Sequence, residues 1–322
     1  MNDSSGEKLL RGNDKTRLNI TTSLVQILIW PFISINLFMY FVFHRKQALR
    51  TEPRYLLFAQ TLLADSALFL MTNFVVITIH IHWLLPISFC IPFVIVMHAV
   101  TQVSPLIITA MCLERYVAIC MPLRHVNIFS PIRTSIVIAL VWFLSFLKPF
   151  IDFFIMLSVV SQSYFSRLNF CYYEIMLLAK WHMMMRGNLV IMNYVAILLV
   201  ILFCYGSIFR VAQRASGTDK KAAAKGQRTL LLHLLQILLC TLEIFGPYIE
   251  ARVLAIDFDT FLIVRYFNFL AFTIVSRAVI PLIYGFRDET FYAAIKYYTQ
   301  CKKNHVSTHK QPMPNEKQRG TK

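Results

Sequence analysis

The sequence contains few charged residues and lacks the short motifs of the common enzyme classes. Only 15% of the 322 residues are charged and 57% are hydrophobic, whereas a soluble domain typically has about 25% charged and about 45–50% apolar residues. There is no GxxxxGK phosphate loop, HExxH zinc motif or GxSxG nucleophile motif, and no converging set of nucleophilic, metal-binding or acid–base residues. The composition indicates a membrane protein, and no enzymatic activity, metal or cofactor is expected.

The apolar residues are concentrated in seven blocks. Each block has about 20 or more residues, enough for a helix to cross a hydrocarbon core of about 30 Å. We number the blocks as spans one to seven, and they cover residues 20–43, 54–79, 88–120, 132–156, 187–210, 228–251 and 259–284. The predicted fold class is therefore an all-α membrane protein with a seven-transmembrane helix bundle.

The basic residues of the connections alternate between the two sides of this bundle. Lys and Arg are concentrated after spans one, three and five and in the C-terminal tail, whereas the opposing loops hold few. Because cytoplasmic loops are enriched in Lys and Arg, the C-terminus is predicted to be cytoplasmic and the N-terminus extracellular. Lys8, Arg11, Lys15 and Arg17, which precede span one, favour the opposite orientation, and we expect the later loops to outweigh them.

The net charge of +16 could also indicate a nucleic-acid-binding protein. The placement of the charge argues for topology instead, together with an attraction to anionic lipid of the inner leaflet. Membrane lipid is therefore an expected partner, and nucleic acid is not.

Covalent modifications are predicted on both sides. Asn2 and Asn19 lie in Asn-X-Ser/Thr sequons of the N-terminal segment, which predicts a glycoprotein. Cys90 opens span three on the outer side and Cys171 lies in the second outer loop, so an oxidising compartment favours a disulfide between them. Cys301, in the inner tail, is a palmitoylation candidate, with a free thiol as the alternative.

The segment after span seven also has helical periodicity. Phe291, Ala294, Ile295 and Tyr298 are spaced as on one face of a helix and are flanked by basic residues, which predicts a short amphipathic helix on the cytoplasmic membrane surface. The polar sequence beyond it is typical of disorder. The predicted division is an extracellular N-terminal segment (1–19), a seven-transmembrane helix domain (20–286), the amphipathic helix (287–300) and a disordered cytoplasmic tail (301–322).

Ionisable residues within the spans are costly to bury, so each is a functional candidate. Lys148 and Asp152 lie four residues apart near the outer end of span four, where a pair that reaches the membrane interface is the favoured interpretation. The candidates expected to be buried in the spans are Asp65, His98, Glu114, Arg115, Lys148, Asp152, Glu243 and Arg277.

An ordered set of motifs carries a family resemblance. Glu114-Arg115-Tyr116 is similar to the acidic-Arg-Tyr motif that closes helix three of rhodopsin-like (class A) G-protein-coupled receptors, and Cys90 precedes Arg115 by the family's 25 positions. Further landmarks follow in the family's order, namely Asp65, Trp142, Tyr205, Pro247 and the string "PLIYG" at 281–285. The longer strings "EPRYLLFAQTLLAD", "AMCLERYVAICMPLRH" and "SRAVIPLIYGFRDE" resemble fish-type odorant receptors.

The resemblance implies an odorant receptor of the plasma membrane that binds a small extracellular ligand and activates a heterotrimeric G protein, expected to be of the stimulatory type. In the family, the arginine is held at rest by its acidic neighbour and released when helix six moves outward. The implied switch residues are Glu114, Arg115, Tyr116, Tyr205 and Tyr284, with Phe245 and Pro247 as the helix-six lever and Pro281 in the helix-seven motif.

Three positions depart from the family pattern. Ile280 stands where the family has Asn before the helix-seven proline, and Phe245 stands where Trp is more usual. Arg277 lies four residues before Pro281, beside the position at which many relatives bind sodium near the aspartate of span two. Because an unpaired buried arginine is costly, we expect Arg277 to pair with Asp65, with Glu243 as a second partner.

A ligand site is expected between the outer halves of spans three, five, six and seven. Polar side chains at these positions are also typical of helix packing, and the sequence leaves both interpretations open for His98 and Gln102, while it favours packing for Tyr248 and Tyr266. Arg252 would favour an anionic ligand. The candidates are Met97, His98, Thr101, Gln102, Asn193, Tyr248, Arg252 and Tyr266.

Other functions of seven-helix proteins fit the sequence less well than that of an odorant receptor. A light receptor needs a lysine in span seven for retinal, and residues 259–284 contain none. A transporter is typically built from two related halves, which the sequence does not show. A non-olfactory class A receptor for another small molecule or a peptide remains the main alternative, although Met97 stands where amine receptors commonly carry Asp.

Overall fold

The computed structural model describes residues 15–214, 258–275 and 289–300, together with Leu231, Ile249, Arg252, Val253, Arg277 and Pro281. Helices dominate this part of the chain, and five of them are long and apolar enough to cross a membrane. The α-helices are α1 (Lys15–Arg45), α2 (Gln47–Arg50), α3 (Pro53–His80), α4 (Ile87–Cys120), α5 (Pro122–Ile128), α6 (Pro131–Leu157), α7 (Lys180–Arg214), α8 (Phe258–Asn268) and α9 (Glu289–Gln300).

Spans one to five of the sequence prediction correspond to α1, α3, α4, α6 and α7. The largest difference is at α7, which begins at Lys180, seven residues before the predicted span. Its first two turns contain the basic residues Lys180, His182 and Arg186 among apolar ones, and these basic residues interrupt the hydropathy pattern. Most of span six lies outside the described residues.

Span seven begins as predicted but changes its helical pitch. Helix α8 is followed directly by a π-helix from Phe269 to Val275. A π-helix is wider than an α-helix and is common at functional sites. Apolar periodicity does not reveal such a change because it assumes a constant number of residues per turn.

Helix α4 lies at the centre of the bundle and packs against α3, α6 and α7. Its buried residues include Ile107, Ile108 and Cys112, and they share one apolar cluster with residues of α3 and α7 such as Phe58 and Ile201. On α6, by contrast, large apolar side chains are exposed, among them Phe143 and Phe154. Apolar exposure of this extent along a span-length helix is the surface expected to face lipid.

Helix α9 packs its apolar face against the helix bundle. Phe291 and Ala294 are buried, and the Phe291 ring meets the ring of Phe58 edge-on with the centroids 5.6 Å apart. Tyr298 contacts Phe41 of α1 in the same edge-on manner, at 5.8 Å. The predicted amphipathic face therefore contacts the ends of α1 and α3 that lie opposite the disulfide.

The second outer loop is fixed to the start of α4. The strands β1 (Leu85–Pro86) and β2 (Leu168–Asn169) pair antiparallel, and the predicted disulfide between Cys90 and Cys171 is formed. Both cysteines are buried in an apolar cluster with Ile175 and Met176 of the loop. The loop thus lies over the outer ends of α4 and α6 rather than extending freely.

The disulfide closes a segment of 81 residues, so its removal should destabilise the receptor. Loss of a native disulfide typically costs about 2–5 kcal/mol. We expect Cys90→Ser and Cys171→Ser each to lower the melting temperature of the detergent-purified protein by a similar amount, with no further loss in the double variant. Cys120→Ser, at a half-buried free cysteine, serves as the control. Unchanged melting of the double variant would contradict this role of the bond.

Candidate functional site

The Arg115 end of α4 carries a carboxylate that contacts two basic side chains. Glu114 is buried; its Oε2 lies 3.7 Å from Nε of Arg115 and its Oε1 lies 3.1 Å from Nε2 of His125. The first distance is an ion pair without a short hydrogen bond, whereas the second is within hydrogen-bonding range. Glu114 therefore connects α4 with α5, the short helix of the following inner loop.

His125 was not identified from the sequence as part of this site. It lies eleven residues after Glu114, and in one continuous helix two residues so far apart in sequence would be about 16 Å apart along the axis. The chain ends α4 at Cys120 and restarts at Pro122, and this break returns His125 to the carboxylate. A signal was nevertheless present, because a buried acid needs more than one partner and a histidine followed shortly after.

Tyr116 and Tyr205 lie at the same end of the bundle. The ring of Tyr116 packs against the ring of Phe203 on α7 with the centroids 5.4 Å apart. Tyr205 is half-buried on α7 and packs against the main apolar cluster. Among the predicted switch and lever residues, Tyr284, Phe245 and Pro247 lie outside the described residues.

A second ionic site joins α3 and α4 to span seven in the middle of the bundle. Nη1 of Arg277 lies 3.2 Å from Oδ1 of Asp65, and both side chains are almost fully buried, at 0% and 1% exposure. The Ser104 hydroxyl donates to the same oxygen at 2.6 Å, and Nη2 of Arg277 contacts the carbonyl oxygen of Thr101 at 3.5 Å. Pro281 is buried, and Glu243 lies outside the described residues.

The candidate ligand residues occupy different environments. His98 contacts Arg186 and the ring of Tyr173. The Thr101 hydroxyl donates to the carbonyl of Met97 at 2.8 Å. Tyr266 donates to the carbonyl of Thr21 on α1 at 3.0 Å. Of the others, Gln102 is buried, Asn193 is half-buried, Arg252 is exposed and Tyr248 lies outside the described residues.

A polar cluster at the outer end of the bundle was not anticipated. Asp152 of α6 is 2% exposed and binds three groups from the second outer loop and α7. Oδ1 lies 2.8 Å from Nε2 of His182, Oδ2 lies 3.6 Å from Nε of Arg186, and the Tyr173 hydroxyl donates to Oδ2. The sequence suggested that Asp152 pairs with Lys148 at the membrane interface, whereas its carboxylate is enclosed by protein and its hydrogen bonds go to His182 and Tyr173.

The loop tyrosine in this cluster is held as a neutral donor. Burial is the main cause that raises the pKa of the Tyr173 hydroxyl, and Asp152 raises it further while Arg186 lowers it. The hydroxyl therefore keeps its proton and donates to the carboxylate. The partners of Asp152 follow it by 21 to 34 residues, across a loop, so no local spacing rule could have found them.

The remaining predicted modification sites are partly described. Asn19 is exposed near the start of α1, while Asn2 and Cys301 lie outside the described residues. Cys112 and Cys204 are buried free cysteines. Within the described ranges, no group of three or more His, Cys, Asp or Glu residues is arranged to hold a metal ion.

Comparison with known proteins identifies the family to which the chain belongs. The family model "7 transmembrane receptor (rhodopsin family)" matches residues 35–284. The chain is 35% identical over 301 residues to odorant receptor 131-2 of Danio rerio, covering 94% of this chain and 92% of that protein.

Two more distant relatives are also receptors. Melanopsin of Phodopus sungorus is 25% identical over 286 residues, which cover 83% of this chain and 59% of melanopsin. Olfactory receptor 1073 of Rattus norvegicus is 24% identical over 205 residues, covering 61% of this chain and 63% of the receptor. These relatives are signalling receptors rather than enzymes, and this multi-pass membrane protein belongs to the rhodopsin family of seven-transmembrane receptors.

Proposed function

We propose that this protein is an odorant receptor of the plasma membrane, which binds a small extracellular molecule and activates a heterotrimeric G protein of the stimulatory type. The observation that carries the proposal is the 35% identity to an odorant receptor over 94% of the chain. The buried Glu114 beside Arg115 at one end of α4, and the disulfide at the other end, support a receptor with an inner switch and an outer ligand site.

The N-terminus is extracellular and the C-terminus cytoplasmic in this proposal. The Cys90–Cys171 disulfide supports this orientation, because disulfides persist in oxidising compartments and are rare in the cytosol. The Cys90 end of α4 would then face outward and the Arg115 end inward. The basic connections lie on the Arg115 side, in agreement with the preference of cytoplasmic loops for Lys and Arg.

Glu114 restrains Arg115 in the resting receptor. Ligand binding favours a state in which helix six, with Phe245 and Pro247 as its lever, moves outward and the Arg115 side chain turns to the G protein. Tyr205 and Tyr284 rearrange around it. The ligand can shift this equilibrium only by as much as its affinity differs between the two states.

The Asp65–Arg277 pair is a permanent part of the helix bundle in this proposal. Its two members lie on different helices and are completely enclosed, so the pair neutralises a carboxylate that would otherwise need a cation. Glu243 is a possible second partner for Arg277. The pair would keep span seven aligned with α3 and α4 while the inner end of the bundle changes shape.

The switch can be tested by removing the arginine. In cells that contain a stimulatory G protein, we expect at least one of a panel of amino acids, carboxylic acids, amines and volatile odorants to raise cAMP. Arg115→Ala should abolish this rise, because no guanidinium is left to engage the G protein, while surface expression is retained. Arg50→Ala, at an exposed inner arginine, is the matched control. A rise that survives Arg115→Ala contradicts the switch, and silence of well-expressed wild type contradicts stimulatory coupling to this panel.

The buried pair can be tested by removing one charge and then the other. Breaking a buried ion pair typically costs about 3–5 kcal/mol, because the remaining charge is left unpaired. We expect Arg277→Ala to lower both the melting temperature and the surface expression, and Asp65→Asn in the same chain to restore a large part of both. Normal expression and melting of Arg277→Ala alone would show that the pair is dispensable.

A further inference from the structure

Arg186 lies where three helices and the second outer loop meet. It projects from the second turn of α7 towards α4, α6 and the loop, where its neighbours are His98, Asp152 and Tyr173. The guanidinium carbon lies 3.3 Å from the centre of the Tyr173 ring, within the range of a cation–π contact. The ring of Tyr173 thus covers one face of the guanidinium.

The close hydrogen bonds of Asp152 go to other groups. Its Oδ1 is bound by His182 at 2.8 Å and its Oδ2 by the Tyr173 hydroxyl. Nε of Arg186 is 3.6 Å from Oδ2, which is an electrostatic contact and not a hydrogen bond. Both oxygens of the Asp152 carboxylate therefore already accept a hydrogen bond from a group other than Arg186.

The cluster also contains more positive than negative charge. Lys148 precedes Asp152 by one helical turn on α6, which places it on the same face, and it is half-buried. Two cations, Lys148 and Arg186, thus accompany one buried carboxylate. Glu174, which follows Tyr173 in the loop, also acts electrostatically on Arg186, but it is exposed, so solvent screens its charge. Lys148 and Arg186 are only partly buried, and an anion that approaches them from outside would be attracted to both.

Part of the Arg186 guanidinium is accessible to such an anion. Its side chain is 15% exposed, so it is reachable from outside, and its Nη2 contacts Nε2 of His98 at 3.3 Å. When Nη2 donates in this contact, His98 carries its proton on Nδ1 and becomes a second donor. Asn193 lies seven residues after Arg186 and therefore on the same face of α7.

We propose that Arg186, supported by His98, binds the carboxylate of a small acidic ligand. The proposal rests on the receptor function above and names the chemical class of its ligand. A planar guanidinium matches a carboxylate with two parallel hydrogen bonds, and the Tyr173 ring fixes the guanidinium plane. The sequence had suggested Arg252 for an anion, but Arg252 is exposed, whereas Arg186 lies beside the candidate ligand residue His98.

Binding can be measured without signalling, so failure of this proposal is distinguishable from failure of the proposed receptor function. The purified receptor is melted in detergent at constant ionic strength and pH against matched probes, namely hexanoate and hexanamide, benzoate and benzamide, and phenylacetate and phenylacetamide. A ligand that binds the folded state raises the melting temperature with its concentration. At least one carboxylate should give a saturable rise, and its amide should give none.

Variants then assign the effect to one side chain. Arg186→Gln should weaken carboxylate binding about hundredfold, as expected when a charged hydrogen-bond partner is lost. Arg167→Gln removes a loop arginine that is exposed and should leave the rise unchanged. Should Arg186→Gln fail to fold, Arg186→Lys decides the question, because it keeps the charge but loses the planar fork and should weaken binding about tenfold.

Three results would overturn the proposal. The first is no rise with any carboxylate, which would make the cluster a purely structural clamp between the loop, α6 and α7. The second is an equal rise with an acid and its amide, which would show that the negative charge is not recognised. The third is a carboxylate effect that persists in folded Arg186→Gln and Arg186→Lys.

Discussion

Charge in the middle of a membrane protein has to be satisfied by the protein itself, and this constraint organises the whole helix bundle. Removing an ion from water costs several kcal/mol even after relaxation, so each buried carboxylate needs partners close by. The described residues show three such carboxylates, at Asp65, Glu114 and Asp152. Each takes its partners from more than one element of the chain, so each ionic site is also a junction between helices or between a helix and a loop.

Helix α4 takes part in all three sites. It contributes Glu114 and Arg115 at the inner end, Ser104 beside Asp65 in the middle, and His98 beside Arg186 at the outer end. The disulfide fixes its outer end to the loop that supplies Tyr173. A displacement of α4 along or about its axis would therefore change the contacts at both of its ends together, as the proposed switch requires.

Features that depend on residues within one span could be predicted from the sequence, whereas contacts that depend on the path of a loop could not. The spans follow from hydropathy because lipid cannot satisfy a backbone or a charge, and five of the seven are described as helices, with α7 extending furthest beyond its predicted bounds. Charge balance was sufficient to pair Arg277 with Asp65, since both lie within spans. It was insufficient for Asp152, whose partners lie in a loop and in the first two turns of α7, before the predicted start of span five. It was also insufficient for His125, which the break between α4 and α5 brings back to Glu114.

The π-helix from Phe269 to Val275 affects how this chain can be aligned with other receptors. A wider turn accommodates an additional residue, and one residue corresponds to a rotation of about 100° around a helix. The face on which Arg277 lies is therefore offset from the face that a regular α-helix counted from α8 would assign to it. An ungapped alignment with a relative that lacks the wide turn would therefore compare the wrong positions beyond it, and Arg277 would be matched to a residue on a different face of the helix.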